Sequence, residues 1–398
     1  MGSVVVAIPG LELIHAVVSI EYQRSVRSLV WRLFRDGIRV TGVSAPSPQL
    51  IEAAFYLCAS LPRQRALDKS PPRSLKRTPE ERQQLFDHCF RNVPDLEAFL
   101  VTWFKGHPLD DIRAENVKDF IAWGFFYKTT GAPEDDEELN GYLHDTEQII
   151  GRRFLPGRGP HRPAQVSTDA LHLQHKPFFF YVVGVGADDL MTYAAMRYYG
   201  LQHFRLPLSR SLTVFPFRPH TIFSQHTSPS KQLSYWYRPH TSTKRLPVLF
   251  HGVGAGLRTY ASFLGDFIRN DTVAADDGET GVIAVEIMPI SMRMTGGCLP
   301  RQEMLAELLA ILRYHGWDKI VVAAHSYGMI IATHLLQTLE PERLGPMLLV
   351  DPVTVLIHWG EVPFNFLYRQ PRSASEWQLQ YFASTEMGIA HAITRRFD

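Results

Sequence analysis

The stretch Val321-Val-Ala-Ala-His325-Ser326-Tyr327-Gly328-Met-Ile-Ile-Ala332 decides the reading of this chain. A short apolar run from Ile320 ends in Ala324-His325-Ser326-Tyr327-Gly328, and helix-forming residues follow at once. A serine between a strand and a helix, with a small residue two positions to either side, is the pattern of a nucleophile elbow. The sharp turn forces the serine into a strained backbone conformation and lifts its hydroxyl above the sheet. Positions 324 and 328 must stay small because strand and helix backbones pass closely there. Ala324 stands where glycine is commoner and still satisfies that need. An ordinary serine in a strand-to-helix loop is the alternative.

Upstream, Leu246 to Phe250 reads as a buried strand that runs into His251-Gly252-Val253-Gly254-Ala255-Gly256. Acyl transfer puts negative charge on a carbonyl oxygen, and two backbone amides aimed at that point stabilise it. The amides of Val253 and Tyr327 are the candidates. A dinucleotide loop is the rival reading, since Gly252-x-Gly254 is part of G-x-G-x-x-G, but Leu257 occupies the third glycine's place. Gly184-x-Gly186 fails in the same way at Asp189, and no glycine precedes Lys-Ser or Lys-Thr. No cofactor is expected. Cys58, Cys89 and Cys298 form no C-x-x-C pair, so neither a zinc site nor a disulfide framework is expected.

Around this centre, Leu246 to Phe250, Val282 to Ile287, Ile320 to Ala324 and Met347 to Val350 are short, nearly continuous apolar runs, as in parallel strands buried on both faces. Leu299 to His315 and Gly328 to Leu339 carry helical spacing between them. The alternation predicts an α/β domain with a mostly parallel sheet over residues 206–398. Leu212 to Phe217 and Leu233 to Tyr237 read as additional strands. Residues 1–205 read as a helical region. Thr78-Pro79-Glu80-Glu81 is a capping box with proline at the first helical position, and Pro94 to Phe104 and Leu109 to Tyr127 have helical periodicity. Glu134 to Glu138 and Pro156 to Pro163 read as exposed connections.

From about Leu233 to Val353 the chain resembles the α/β-hydrolase family, and most of all its fungal branch with a long helical N-terminal extension. The resemblance implies an eight-stranded, mostly parallel sheet, a serine nucleophile, an acid after a late strand and a histidine after the last. Ser326 matches the nucleophile, and His251 and Gly252 match the oxyanion turn, with His325 beside them on the substrate side. Asp351, directly after the strand Met347 to Val350, is the candidate acid, with a structural Asp-Pro turn as its alternative.

The base is unassigned. His334 falls more than two helical turns beyond Ser326. His358 follows Val350 too closely for a parallel crossover, and His391 lies in a helical stretch from Glu386 to Arg396. Residues 355–390 read as cap-like helices, so the last two strands of the family's sheet, and hence part of the triad, are expected to be missing from this chain.

Lys+Arg 41 against Asp+Glu 40 leaves a formal charge of +1, which argues against nucleic acid as a partner. The first twenty residues are apolar, but Pro9, Glu12 and His15 interrupt them and no basic residue precedes them, so neither signal nor anchor is expected. Pro177 to Gly186 is too short to span a bilayer and reads as a buried segment, with weak membrane-surface contact as the alternative. A cytoplasmic location follows from these features. The expectation is a serine-dependent hydrolase or acyl transferase acting on an apolar, ester-like small molecule. Its rival is a hydrolase-like protein that kept the elbow and lost catalysis.

Overall fold

The computed structural model describes residues 47–69, 77–241, 246–273, 278–355 and 357–396. The apolar N-terminal twenty residues lie outside that set. The chain divides into a unit ending at Phe55, represented by the helix Pro48–Phe55, and a unit from Tyr56 to Asp398 that contains all else described below.

Seven strands form one sheet: β1 Gln202–Arg205, β2 His226–Thr227, β3 Ser234–Arg238, β4 Leu246–Phe250, β5 Val282–Glu286, β6 Ile320–His325 and β7 Leu344–Val350. Their spatial order is β2-β1-β3-β5-β4-β6-β7. β5, β4, β6 and β7 are mutually parallel, while β3 runs antiparallel to both β1 and β5. With helices on both faces, this is a mostly parallel sheet of the α/β-hydrolase type.

Strand side chains alternate between two cores, as the pleat requires. Tyr235, Val248, Phe250, Ile283, Val285 and Val322 pack against Leu305, Leu308 and Ile311 of the helix Arg301–Tyr314 and against Ile330 and Ile331 of the helix Gly328–Leu336. Trp236, Leu249, Val282 and Ala284 face the other way, onto Met196 of the helix Gly186–Tyr198 and Leu264 and Ile268 of the helix Ala261–Val273. Beyond β7 the sheet has no further described strand, and Leu348, Leu349 and Val350 are exposed.

The preceding helices have an aromatic core of their own, with Phe86, Phe90, Phe99, Trp103 and Phe120 in ring contact. The box at Thr78 is formed on both sides: Glu81 N–H donates to Thr78 Oγ1 at 3.3 Å, and Thr78 N–H to Glu81 Oε2 at 2.8 Å. A buried ion network fastens the helix Gly186–Tyr198 to the sheet. Arg218 donates to Asp189 at 2.7 Å and to Glu286 at 2.8 Å, and Arg293 donates to Asp189 at 2.7 Å.

Several details differ from the sequence expectation. The sheet begins at Gln202, four positions before the start expected at residue 206. Leu212 to Phe217 forms no strand; only Phe215 makes a bridge, to Met294, because Pro216 has no N–H to continue a ladder. Glu134 to Glu138 is not a connection. It passes through the short helix Pro133–Asp135 into the helix Asp136–Ile150, whose positive N-terminal end suits those acids. Pro156 to Pro163 is irregular, and Gly159 N–H donates to Asn116 Oδ1 at 2.7 Å. Within Pro177 to Gly186, Tyr181 and Val185 are buried while Phe179 and Val182 are exposed. No helix of the described residues is long and apolar enough to cross a membrane.

Candidate active site

Ser326 stands between β6 and the helix Gly328–Leu336 with φ at +49°, in the left-handed region that a side chain normally avoids. Two contacts hold it there. Its N–H donates to Val350 O at 3.0 Å, and its carbonyl accepts Met329 N–H at 3.0 Å. A Cβ on Gly328 would run into the carbonyl of Phe250, so the small residue after the serine is a steric necessity. Gly252 is equally tight: a Cβ there would lie 2.7 Å from His325 Nδ1 and 2.9 Å from Ser326 Cβ. The turn after β4 and the turn after β6 therefore touch, and Val253, Ser326 and Tyr327 share the wall of one cavity.

That cavity has a volume of about 670 Å³. Its wall includes the two turns, the residues Ile357, Val362, Phe366 and Leu379, the N-terminal helices through Trp103, Trp123 and Tyr127, and the end of the helix Met387–Arg395. Arg77 and Arg395 also reach it. The helices from Glu361 to Ser384 lie where cap-like helices were expected. The share taken by Trp103, Trp123 and Arg77 had no counterpart in the sequence reading. The one local signal was Arg395, which recurs with Met387 and His391 at four-residue spacing on the buried face of the helix Met387–Arg395.

His251, Gly252, His325 and Asp351 are not among the described residues of that wall, and Asp351 is exposed. His251 is fully buried; its Nδ1–H donates to Gly252 O at 2.8 Å and its Nε2 accepts Ile287 N–H at 2.9 Å. Burial lowers its pKa to about 4, so the ring is a neutral brace between the ends of β4 and β5. His325 has a pKa lowered by burial, opposed by Asp351, and its Nδ1 is 2.5 Å from the Tyr260 hydroxyl. Asp351 has φ at +49°, directly after β7. Of the histidines after Ser326, His334 is buried in the helix Gly328–Leu336 and His391 is buried against Gly297 with a pKa lowered to about 4 by burial. The carbonyl of His358 accepts Trp103 Nε1–H at 3.1 Å. No histidine is among the described residues of the cavity wall. Among the described residues, no group of three or more His, Cys, Asp or Glu side chains could hold a metal ion.

No protein-family model matches the chain, and no curated protein matches it. Parts of the chain superpose on solved structures at low scores. The carboxylesterase CesB from Bacillus subtilis superposes with a TM-score of 0.27 at 13% identity, over 51% of this chain and 68% of that one. The naproxen esterase from the same organism gives 0.27 at 13%, over 53% and 69%. A bacterial membrane phospholipase A gives 0.29 at 12%, over 55% and 67%. At such scores the assignment of the fold rests on the sheet order and the elbow themselves.

Proposed function

We propose that Ser326 is the nucleophile of a serine-dependent hydrolase or acyl transferase for an apolar, ester-like substrate. The observation that carries this reading is the left-handed backbone of a non-glycine residue in the wall of an apolar cavity. Strain of that kind costs on the order of 1–3 kcal/mol and persists where the surroundings over-determine it. In the reaction, Ser326 Oγ attacks the ester carbonyl and loses its proton, the alcohol leaves with a proton, and the acyl group passes to water or another acceptor. The amides of Val253 and Tyr327 are assigned to the developing oxyanion.

A second reading has its own support. With no imidazole among the described wall residues, the serine lacks the partner that makes it a strong nucleophile, and a site that binds or is acylated once without turnover fits that arrangement. One experiment separates the two. A fluorophosphonate probe should label the protein at Ser326, and Ser326→Ala should abolish labelling. Continuous release of p-nitrophenol from a p-nitrophenyl ester then supports the enzyme, and a single stoichiometric burst supports the incomplete site. Labelling that survives Ser326→Ala removes the nucleophile assignment altogether.

A further inference from the structure

Arg395 is 5% exposed and stands in the wall of the Ser326 cavity. Its Nη1 donates to Val166 O at 3.1 Å and its Nη2 to Asp169 O at 2.6 Å, while its buried Nε has no hydrogen-bond partner. Among the described residues it makes no ion pair. The carboxylate of Asp169 is engaged elsewhere, accepting the Tyr368 hydroxyl at 2.8 Å and the Gln165 amide at 3.2 Å. Burial lowers the pKa of Arg395 even though Asp68 and Asp169 act in the opposite direction. A guanidinium cannot shed its charge at ordinary pH, so a buried one without a counter-ion is costly. A second cation lines the same cavity. Among the described residues, Arg77 donates only to Gly124 O at 3.4 Å, and it lies over the Tyr127 ring at 4.9 Å. No Asp or Glu is among the described residues of the wall.

We infer that the cavity takes an apolar molecule bearing a carboxylate, with the guanidinium of Arg395 as its anchor and Arg77 as the second cation. The apolar part lies against Trp103, Trp123 and Phe366. Carboxylate geometry matches the edge of a guanidinium, and charge-assisted bonds of this kind are about twice as strong as neutral ones. The inference rests on the proposed function only in taking the Ser326 cavity as the substrate site. On that reading the substrate is an ester that also carries a free carboxylate.

The test uses the Ser326→Ala protein, so that binding is measured without chemistry, and follows tryptophan fluorescence while decanoate or decanol is titrated. Decanoate should bind about tenfold more tightly or better, the range expected for hydrogen bonds to a charged group. Arg395→Met should erase the preference and Arg395→Lys should restore part of it. Arg395 also holds the Val166 and Asp169 carbonyls, so Arg77→Met provides the variant without that duty, and it should cut the preference about threefold. Equal binding of acid and alcohol overturns the inference, and so does a preference that survives both Arg395→Met and Arg77→Met. Fluorophosphonate labelling of the unmodified protein keeps the two proposals apart: labelling without carboxylate preference removes only this inference, and preference without labelling removes only the nucleophile.

Discussion

The hydroxyl of Tyr260 lies 2.5 Å from Nδ1 of His325 and accepts the amide hydrogen of Gly252 at 2.9 Å. One side chain thus joins the turn after β4 to the residue that precedes Ser326. Burial lowers the pKa of His325, and in the neutral tautomer with its proton on Nε2 the Nδ1 accepts the Tyr260 hydrogen, so that the chain of bonds runs from Gly252 through Tyr260 to His325.

Tyr260→Phe should therefore leave the Gly252 amide and His325 Nδ1 unpaired at once. The expected loss is about 1–3 kcal/mol in urea denaturation, with slower fluorophosphonate labelling of Ser326 as the two turns loosen. Wild-type stability together with wild-type labelling would show that the hydroxyl does not hold the site.

Ser326 supplies a sharper test, because backbone strain and chemistry make opposite demands there. Ser326→Gly and Ser326→Ala both remove the hydroxyl, but only glycine relieves a φ of +49°. The glycine variant should be more stable than the alanine variant by about 1 kcal/mol in thermal or urea unfolding. An alanine variant as stable as glycine would mean that the residue is not held in the left-handed region in solution.

The elbow was legible because its constraints are local. Gly328 must be small to clear Phe250, and Gly252 must be small to clear His325 and Ser326, and both appear in the sequence as small residues at fixed spacing. The parallel strands were legible for the same kind of reason, since burial on both faces requires continuous apolar runs. β1 was not, because Gln202-His-Phe-Arg205 has no strand pattern of its own and is held by its register with β3. The cavity was half legible. Helices between residues 355 and 390 were expected and are found, but Trp103 and Trp123 are brought to Ser326 by packing across more than two hundred residues, and no local spacing encodes that.

Asp189 lies in a buried network, and its loss should be felt throughout the fold. Its carboxylate accepts from both Arg218 and Arg293, and although burial raises its pKa, those two guanidiniums outweigh burial and hold it well below the usual carboxylate range. Asp189→Asn leaves Arg293 without its partner and weakens the clamp on Arg218. Removing one member of a buried ion pair costs about 3–5 kcal/mol, so the midpoint of urea unfolding should fall steeply. A change under about 1 kcal/mol would show that water enters the network and replaces the carboxylate.

Glu386 should make the stability of the protein fall as pH rises toward neutrality. It is fully buried at the start of the helix Met387–Arg395, where its Oε2 accepts the amides of Gly388 and Ile389 at 3.0 Å and 2.9 Å while Oε1 has no partner. Burial pushes its pKa up to about 7 from an ordinary 4.5, against the pull of those amides and of Lys176. Between those two values the unfolded chain releases a proton that the native chain keeps, so the native state binds more protons and loses stability with rising pH. Below about pH 4.5 both states are protonated and the effect vanishes; above about pH 7 the loss is complete, on the order of 3 kcal/mol at most. Glu386→Gln retains the capping oxygen and removes the titration. Urea unfolding at pH 5 and pH 8 should then show the variant gaining on the wild type by about 1–3 kcal/mol at the higher pH. A variant that loses the same amount at both would mean that Lys176 keeps Glu386 ionised inside the fold, and the predicted slope would disappear with it.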